Sequence, residues 1–167
     1  NLEEYAKAIS DLLRIIELDK DGGFRKYKGY IYNNLAVYYR RIENYDKQLE
    51  YYTKEIDLDP DDYLAYRNRA YLYGYNLNDN EKALIDFNKA IELDSIGDNF
   101  YYRAGFYNEI GEYNKALLDY NKAIELDPDD MDNLDKKAEV LLELDKTYEA
   151  LKVYNDITNF FKKDLDK

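Results

Sequence analysis

The sequence predicts an all-α protein, a solenoid of antiparallel helix pairs stacked one on another. Two observations carry this. A stretch of helical pattern, EYNKALLDYNKAIELDP at 112–128, recurs as EKALIDFNKAIELDS at 81–95 and YDKQLEYYTKEIDLDP at 45–60, with fainter copies at 5–19 and 148–157. A second periodic segment precedes each clear copy. Self-similarity of this kind marks repeat architectures, because a helix pair too small to bury its own apolar face is covered by the next pair.

Taken in order, residues 2–19 read as the second helix of a pair, with Tyr5, Ala8, Leu12, Ile15 and Ile16 on its packing side. This half repeat occupies 1–20, and its missing first helix leads us to expect that the chain is part of a longer one. Asp21, Gly22 and Gly23 break the pattern, as paired glycines do. Residues 21–28 are an insertion, whose segment from Phe24 is expected to wind on as extra turns of the following helix. The second repeat, 29–60, opens with the stripe Tyr32, Leu35, Ala36 and Tyr39. The third, 61–95, has Tyr66, Ala70 and Tyr73, and one extra residue expected in the turn around Asn76 to Asn80. The fourth, 96–128, has Phe100, Ala104 and Tyr107 on its first helix. On its second helix Ala116, Tyr120 and Ala123 fall at i, i+4 and i+7, one helical stripe broadened by Leu117 and Ile124. The fifth, 129–167, ends in a helix that overruns the repeat through Phe160 and Phe161.

Asp61–Asp62 and Asp129–Asp130 follow prolines, where carboxylates cap the free N–H groups of a starting helix. Gln48 and Glu55 stand where the other copies carry Ala83 and Ala90, and Ala116 and Ala123. Burying an unpaired carboxylate is costly, so Glu55 is expected to be paired or partly solvated, with looser packing around it.

Pro60 to Ser95 is 35 positions and Ser95 to Pro128 is 33. With an aromatic, Leu or Ala, and Tyr on the first helix, Ala–aromatic–Ala on the second and proline at the boundary, the pattern resembles the tetratricopeptide repeat over nearly the whole chain. That resemblance implies a right-handed superhelix forming a single domain, with the first helices lining a concave groove that receives a peptide segment. By register the groove residues are Tyr30, Asn33, Asn34 and Val37 in the second repeat, and Arg67, Asn68, Tyr71 and Tyr75 in the third. The fourth contributes Tyr101, Tyr102 and Asn108, and the fifth the more acidic set Asp132, Asp135, Lys136 and Glu139. Amides hydrogen-bond a peptide backbone, and tyrosine offers apolar area with a hydroxyl at low entropy cost. About half of the tyrosines sit at scaffold positions and need no further role. The cluster Tyr71, Tyr75, Tyr101 and Tyr102 is the better functional candidate, since contiguous exposed aromatic surface is uncommon on monomers.

Some members of the family hold a C-terminal carboxylate through a clamp of Lys and Asn. Only Asn68 matches it here: Asn33, Val37, Asp98 and Tyr102 stand at the other positions, so the resemblance implies no such clamp. Arg67 can hold an acidic group, or form a salt bridge to an adjacent repeat.

The net charge of -12 disfavours nucleic-acid backbones. Residues 21–60 carry seven Lys/Arg against seven Asp/Glu, and residues 129–167 seven against eleven, so the acidity grows along the chain. No Cys or His is present, which removes thiolate and imidazole chemistry and the metal sites built from them. Asp57, Asp59, Asp61 and Asp62 imitate a calcium loop but lack its Gly and Glu. No metal, cofactor or catalytic group is therefore expected, and no stretch is apolar enough for a membrane span or signal peptide. The reading is a non-catalytic, cytoplasmic protein-interaction scaffold with a protein or peptide partner. Two alternatives stand beside it. One is self-association into homo-oligomers through Leu12, Ile15, Phe160 and Phe161; the other is a regulatory module of a larger enzyme.

Overall fold

A computed structural model describes residues 2–19, 22–23 and 25–165. They form nine helices: α1 (Leu2–Leu18), α2 (Arg25–Arg41), α3 (Tyr45–Leu58), α4 (Tyr63–Tyr71), α5 (Asn80–Leu93), α6 (Gly97–Glu109), α7 (Tyr113–Leu126), α8 (Met131–Glu143) and α9 (Thr147–Leu165). The chain falls into two compact bodies, Asn1–Leu93 and Asp94–Lys167. In the first, α2 packs on α3 and α4 on α5, with α1 against α2 and α3 against α4. In the second, α6 packs on α7 and α8 on α9, with α7 bridging to α8.

Small and large side chains alternate at the helix contacts. Ala83, Phe87 and Ala90 line the buried face of α5, and Ala116, Tyr120 and Ala123 that of α7, all at most 1% exposed. The alanines let a neighbouring helix come close, and the ring fills the space between them. The same arrangement places Leu35, Ala36, Tyr39, Tyr51 and Tyr52 in the core of the first body.

Among the described residues three of the four pairs turn by one device. Glu43, Gly111 and Asp145 occupy the same repeat position and all have positive φ, at 57°, 76° and 57°. The N–H after each reaches back five residues: Asn44 to Tyr39 at 2.9 Å, Glu112 to Tyr107 at 2.8 Å and Lys146 to Leu141 at 2.8 Å. This left-handed cap satisfies helix-end carbonyls, and glycine adopts it without strain. Helix starts are capped as well. Asp62 accepts from the Leu64 N–H at 2.9 Å, Asp130 from that of Asp132 at 2.9 Å, and Asn44 from that of Lys47 at 3.1 Å. Asp62 and Asp130 are the caps; Asp61 instead donates its N–H to the Asp59 carboxylate at 3.2 Å.

Three expectations need correction. The extra residue of the third repeat lies in α4's continuation, Leu72–Asn76, which winds as a π-helical turn closed by the Leu77 N–H on the Leu72 carbonyl at 3.1 Å. Widening a helix by one residue keeps Ala70 and Ala83 in register, which a longer loop would not do as directly. On α1 the buried residue is Ile9, while Ile15 is 38% exposed. Leu12, Leu13 and Ile16 pack partly against the core, so the inward stripe is rotated away from Ile15. Glu55 is neither ion-paired nor well solvated: it is 6% exposed, and its Oε2 accepts no hydrogen bond. A cavity opens beside it, as described below. Of the predicted insertion, Asp21 and Phe24 lie outside the described residues, whereas Lys26, Tyr27 and Lys28 belong to the first turns of α2. Lys28 pairs with Asp19 at 3.0 Å, tying α2 to the end of α1.

Candidate functional site

The predicted groove residues all lie on α2, on α4 with its π turn, on α6 or on α8, the first helices of their pairs. On α2, Tyr30 is 72% exposed, and Asn34 donates its side-chain amide to the Tyr30 carbonyl at 2.8 Å. That bond spends one of the amides assigned to ligand recognition on the helix itself. Asn33 points its Oδ1 into the protein, where the atom is buried and accepts no bond, and Val37 is half-buried.

The π turn brings Tyr71 and Tyr75 together, with ring centroids 4.3 Å apart and planes at 26°. Tyr71 is 39% exposed. Arg67 lies with its guanidinium 5.9 Å from the Tyr63 ring, and Asn68 is half-buried beside it. In the second body Tyr101 and Tyr102 meet edge to face at 5.6 Å, and Tyr101 also leans on the buried Tyr120 at 5.9 Å. Burial, and then the charge of Asp132 on α8, push the Tyr101 hydroxyl above its ordinary pKa, so it remains a hydrogen-bond donor across the physiological range. Asn108, one turn from the end of α6, has a buried Oδ1 with no partner. Each body thus carries a tyrosine pair with one exposed ring, Tyr71 or Tyr102, and one half-buried, and the two pairs rest on helices rather than loops.

Inside the pairs lies a feature that sequence reasoning passed over. Arg69 of α4 donates through Nε and a terminal nitrogen to both oxygens of Asp86 on α5, at 2.7 and 3.0 Å. Arg103 of α6 does the same to Asp119 on α7, at 2.7 and 2.7 Å. Burial works against each guanidinium's charge, yet the paired carboxylate outweighs it and both sit above their ordinary pKa. Both pairs occupy the same repeat positions, and that coincidence of register was the available signal. In α2 and α3 those positions hold Leu35 and Tyr51, both buried. These ion pairs clamp the helices of one repeat and take no part in a surface site.

At the other end of the α2–α3 pair, the start of α2, the end of α3 and the cap of α4 enclose an open cavity of about 620 Å³. Lys26, Tyr30, Asn33, Glu55, Asp59 and Asp62 are among its lining residues. Burial, reinforced by the charge of Asp62, pushes the Glu55 carboxyl up to about 8. At neutral pH the group is therefore mostly protonated.

Among the described residues no helix is long and apolar enough to cross a membrane. Comparison with protein families matches residues 29–62 and 64–96 to a model described as tetratricopeptide repeat, and 106–145 to one described as TPR repeat. No curated protein matches the chain. Among solved structures, the crystal structure of MamA superposes with a TM-score of 0.79 at 19% identity, covering 99% of this chain and 93% of that one. The first TPR of Spaghetti (RPAP3), bound to the HSP90 peptide SRMEEVD, gives 0.62 at 24% identity over 70% of this chain and 93% of that one. YrrB, a TPR protein with an unusual peptide-binding site, gives 0.66 at 22% over 89% and 73%. At these identities the likeness is one of fold.

Proposed function

Because the chain belongs to the tetratricopeptide repeat family, we propose that it is a non-catalytic scaffold that binds a segment of a partner protein along its first helices. The observation that carries this reading is the mutually packed tyrosine pair on each body, Tyr71 with Tyr75 and Tyr101 with Tyr102, in which Tyr71 and Tyr102 are exposed and their partners half-buried. Rings already held against one another lose little freedom when a ligand arrives, so their contact area converts efficiently into affinity. Asn33, Asn68 and Asn108 stand on the same helices as amide partners for a peptide backbone. The peptide bound to one structurally similar repeat and the peptide-binding site of another support the same mode. Affinity near the micromolar range, about -8 kcal/mol, is what a preorganised surface of this kind supplies.

The test replaces Tyr71 and Tyr101 together by alanine. Capture of a partner by the unmutated chain should be lost in the double variant while the circular dichroism of the helices is unchanged. Equal capture by both chains would move the site away from the tyrosines.

A second reading, association between copies, is favoured by apolar side chains on the outermost helices. Leu2 and Leu18 of α1 are 65% and 67% exposed, and Phe160 and Phe161 of α9 are 38% and 52% exposed.

A further inference from the structure

The cavity beside Glu55 has a counterpart, and the difference between the two is informative. In the second body the start of α6, the end of α7 and the cap of α8 enclose a cleft of about 400 Å³. Gly97, Asp98, Leu126, Asp127 and Asp130 line it, at the repeat positions that Gly29, Tyr30, Leu58, Asp59 and Asp62 hold in the first. Each body therefore makes this cleft where one of its pairs hands over to the next. Only the first has a buried carboxyl group in its wall: Glu55 lines it, whereas the second body has the fully buried Ala123 at that repeat position.

Glu55 is more than nine-tenths buried, lines the cavity and leaves Oε2 without a partner. Asn33 Oδ1, from the facing helix, is likewise buried and unpartnered. Buried polar atoms in native proteins are nearly always satisfied, and two such atoms left open on one cavity call for partners from outside the chain. Asp59 and Asp62 add negative charge, each committing one oxygen to a backbone N–H and leaving its second oxygen uncommitted to those caps. Against these stands one cation among the described lining residues, Lys26, on the exposed side of α2. An anion is repelled by this lining. Among the described residues no three acidic side chains are placed to hold a metal ion. Carboxylates spread around so wide a space suit a larger organic cation whose several N–H groups reach separate oxygens.

We propose that this cavity receives a guanidinium or ammonium side chain, the arginine or lysine of a bound partner segment, with Glu55 as its counter-ion and Asn33 as a second acceptor. The source of the cation rests on the peptide-scaffold reading; the pocket does not. Entry of the cation draws the proton from Glu55, which leaves to solvent, and the ion pair that forms replaces a neutral acid facing open space. The charged and titratable groups around Glu55 are Lys26 and Tyr30 from α2, Tyr52 from α3, Asp59 from the turn that follows, and Asp62 from the cap of α4. Of these only Lys26 is a cation, and it does not compensate the three acids.

The experiment follows the Glu55 carboxyl carbon by NMR in the full chain across a pH titration. It is run alone, with N-acetylarginine amide, and with the neutral isostere N-acetylcitrulline amide. The midpoint, about 8 in the chain alone, should fall by about one pH or more with the arginine probe, the shift a tenfold preference for the ionised acid produces. It should stay in place with citrulline. Backbone resonances around Asn33 and Asp62 should respond, and those around Gly97 and Asp130 should not. In Glu55→Gln the response to arginine should weaken about tenfold or more. A midpoint that both probes move alike, or that neither moves, overturns the proposal, as does a Glu55→Gln chain that binds arginine as well as the original.

The single-residue probe does not need the tyrosines. Arginine binding that survives in the Tyr71/Tyr101 double variant, when that variant captures a partner segment as well as the original does, keeps the pocket and removes the groove. A partner segment whose capture Glu55→Gln leaves unchanged keeps the groove and removes the pocket.

Discussion

A carboxyl group at 6% exposure with an oxygen that accepts no hydrogen bond is tolerable while it keeps its proton. Glu55 binds that proton up to about pH 8 in the folded chain, against an ordinary value of 4.5. The folded state thus holds a proton that the unfolded chain releases at lower pH. Below the ordinary value both states are protonated and the residue costs nothing. As the pH rises from about 4.5 to about 8 the unfolded chain ionises freely and the folded one does not, so stability falls through that window and levels off above it. Glu55→Gln abolishes this loss. We predict that the variant matches the original near pH 4 and exceeds it by on the order of 3 kcal/mol at pH 8, read as denaturant midpoints. A difference that does not grow with pH would mean the group is solvated. The sequence marked Glu55 as a misfit by its register, because Ala90 and Ala123 stand at the equivalent places. Whether it would be paired was not legible, since that depends on α2, α3 and α4 converging without presenting it a cation.

At the scale of the helix pair, α4–α5 and α6–α7 are clamped by buried arginine–aspartate pairs, whereas α2–α3 has Leu35 and Tyr51 in the same places. The chain itself thus offers two solutions to one contact, which makes the exchange a fair test. Arg103→Leu alone strands Asp119 in the interior and should cost about 3–5 kcal/mol. Adding Asp119→Tyr copies the second repeat and should return most of that stability, measured by urea denaturation; a double variant as unstable as the single one would refute the equivalence. Helix existence and pairing were readable because alanine and aromatic residues recur at fixed intervals. Two details were not. The extra residue of the third repeat could enter a loop or a helix, and the spacing between Ala70 and Ala83 is the same either way. The π turn prevails because it keeps both alanines at 0% exposure and closes its backbone bonds. On α1, Ile9 and Ile15 lie six residues apart, about 120° away from superposition around a helix, so both cannot face inward. Only the position of α2 decides between them.

For the molecule as a whole, the competing account is association of copies through the terminal helices, and its physics differs from that of a charged interface. Phe160 and Phe161 meet edge to face at 5.9 Å on α9, and Ile15 and Leu18 stand out from α1. A chain of net charge -12 repels its own copies over a distance of about 10 Å at 0.1 M salt. If the apolar ends bind one another, salt should strengthen association by screening that repulsion while leaving the buried contact intact; an interface built on ion pairs would weaken instead. Sedimentation equilibrium should then show the mass rising above 20.0 kDa with concentration, more steeply at 1 M than at 0.1 M salt. Phe160→Ser with Phe161→Ser should return it to the monomer value. A mass that stays at the monomer value through the whole concentration range at high salt would remove self-association, leaving the tyrosine pairs and the Glu55 cavity as the surfaces through which this scaffold works.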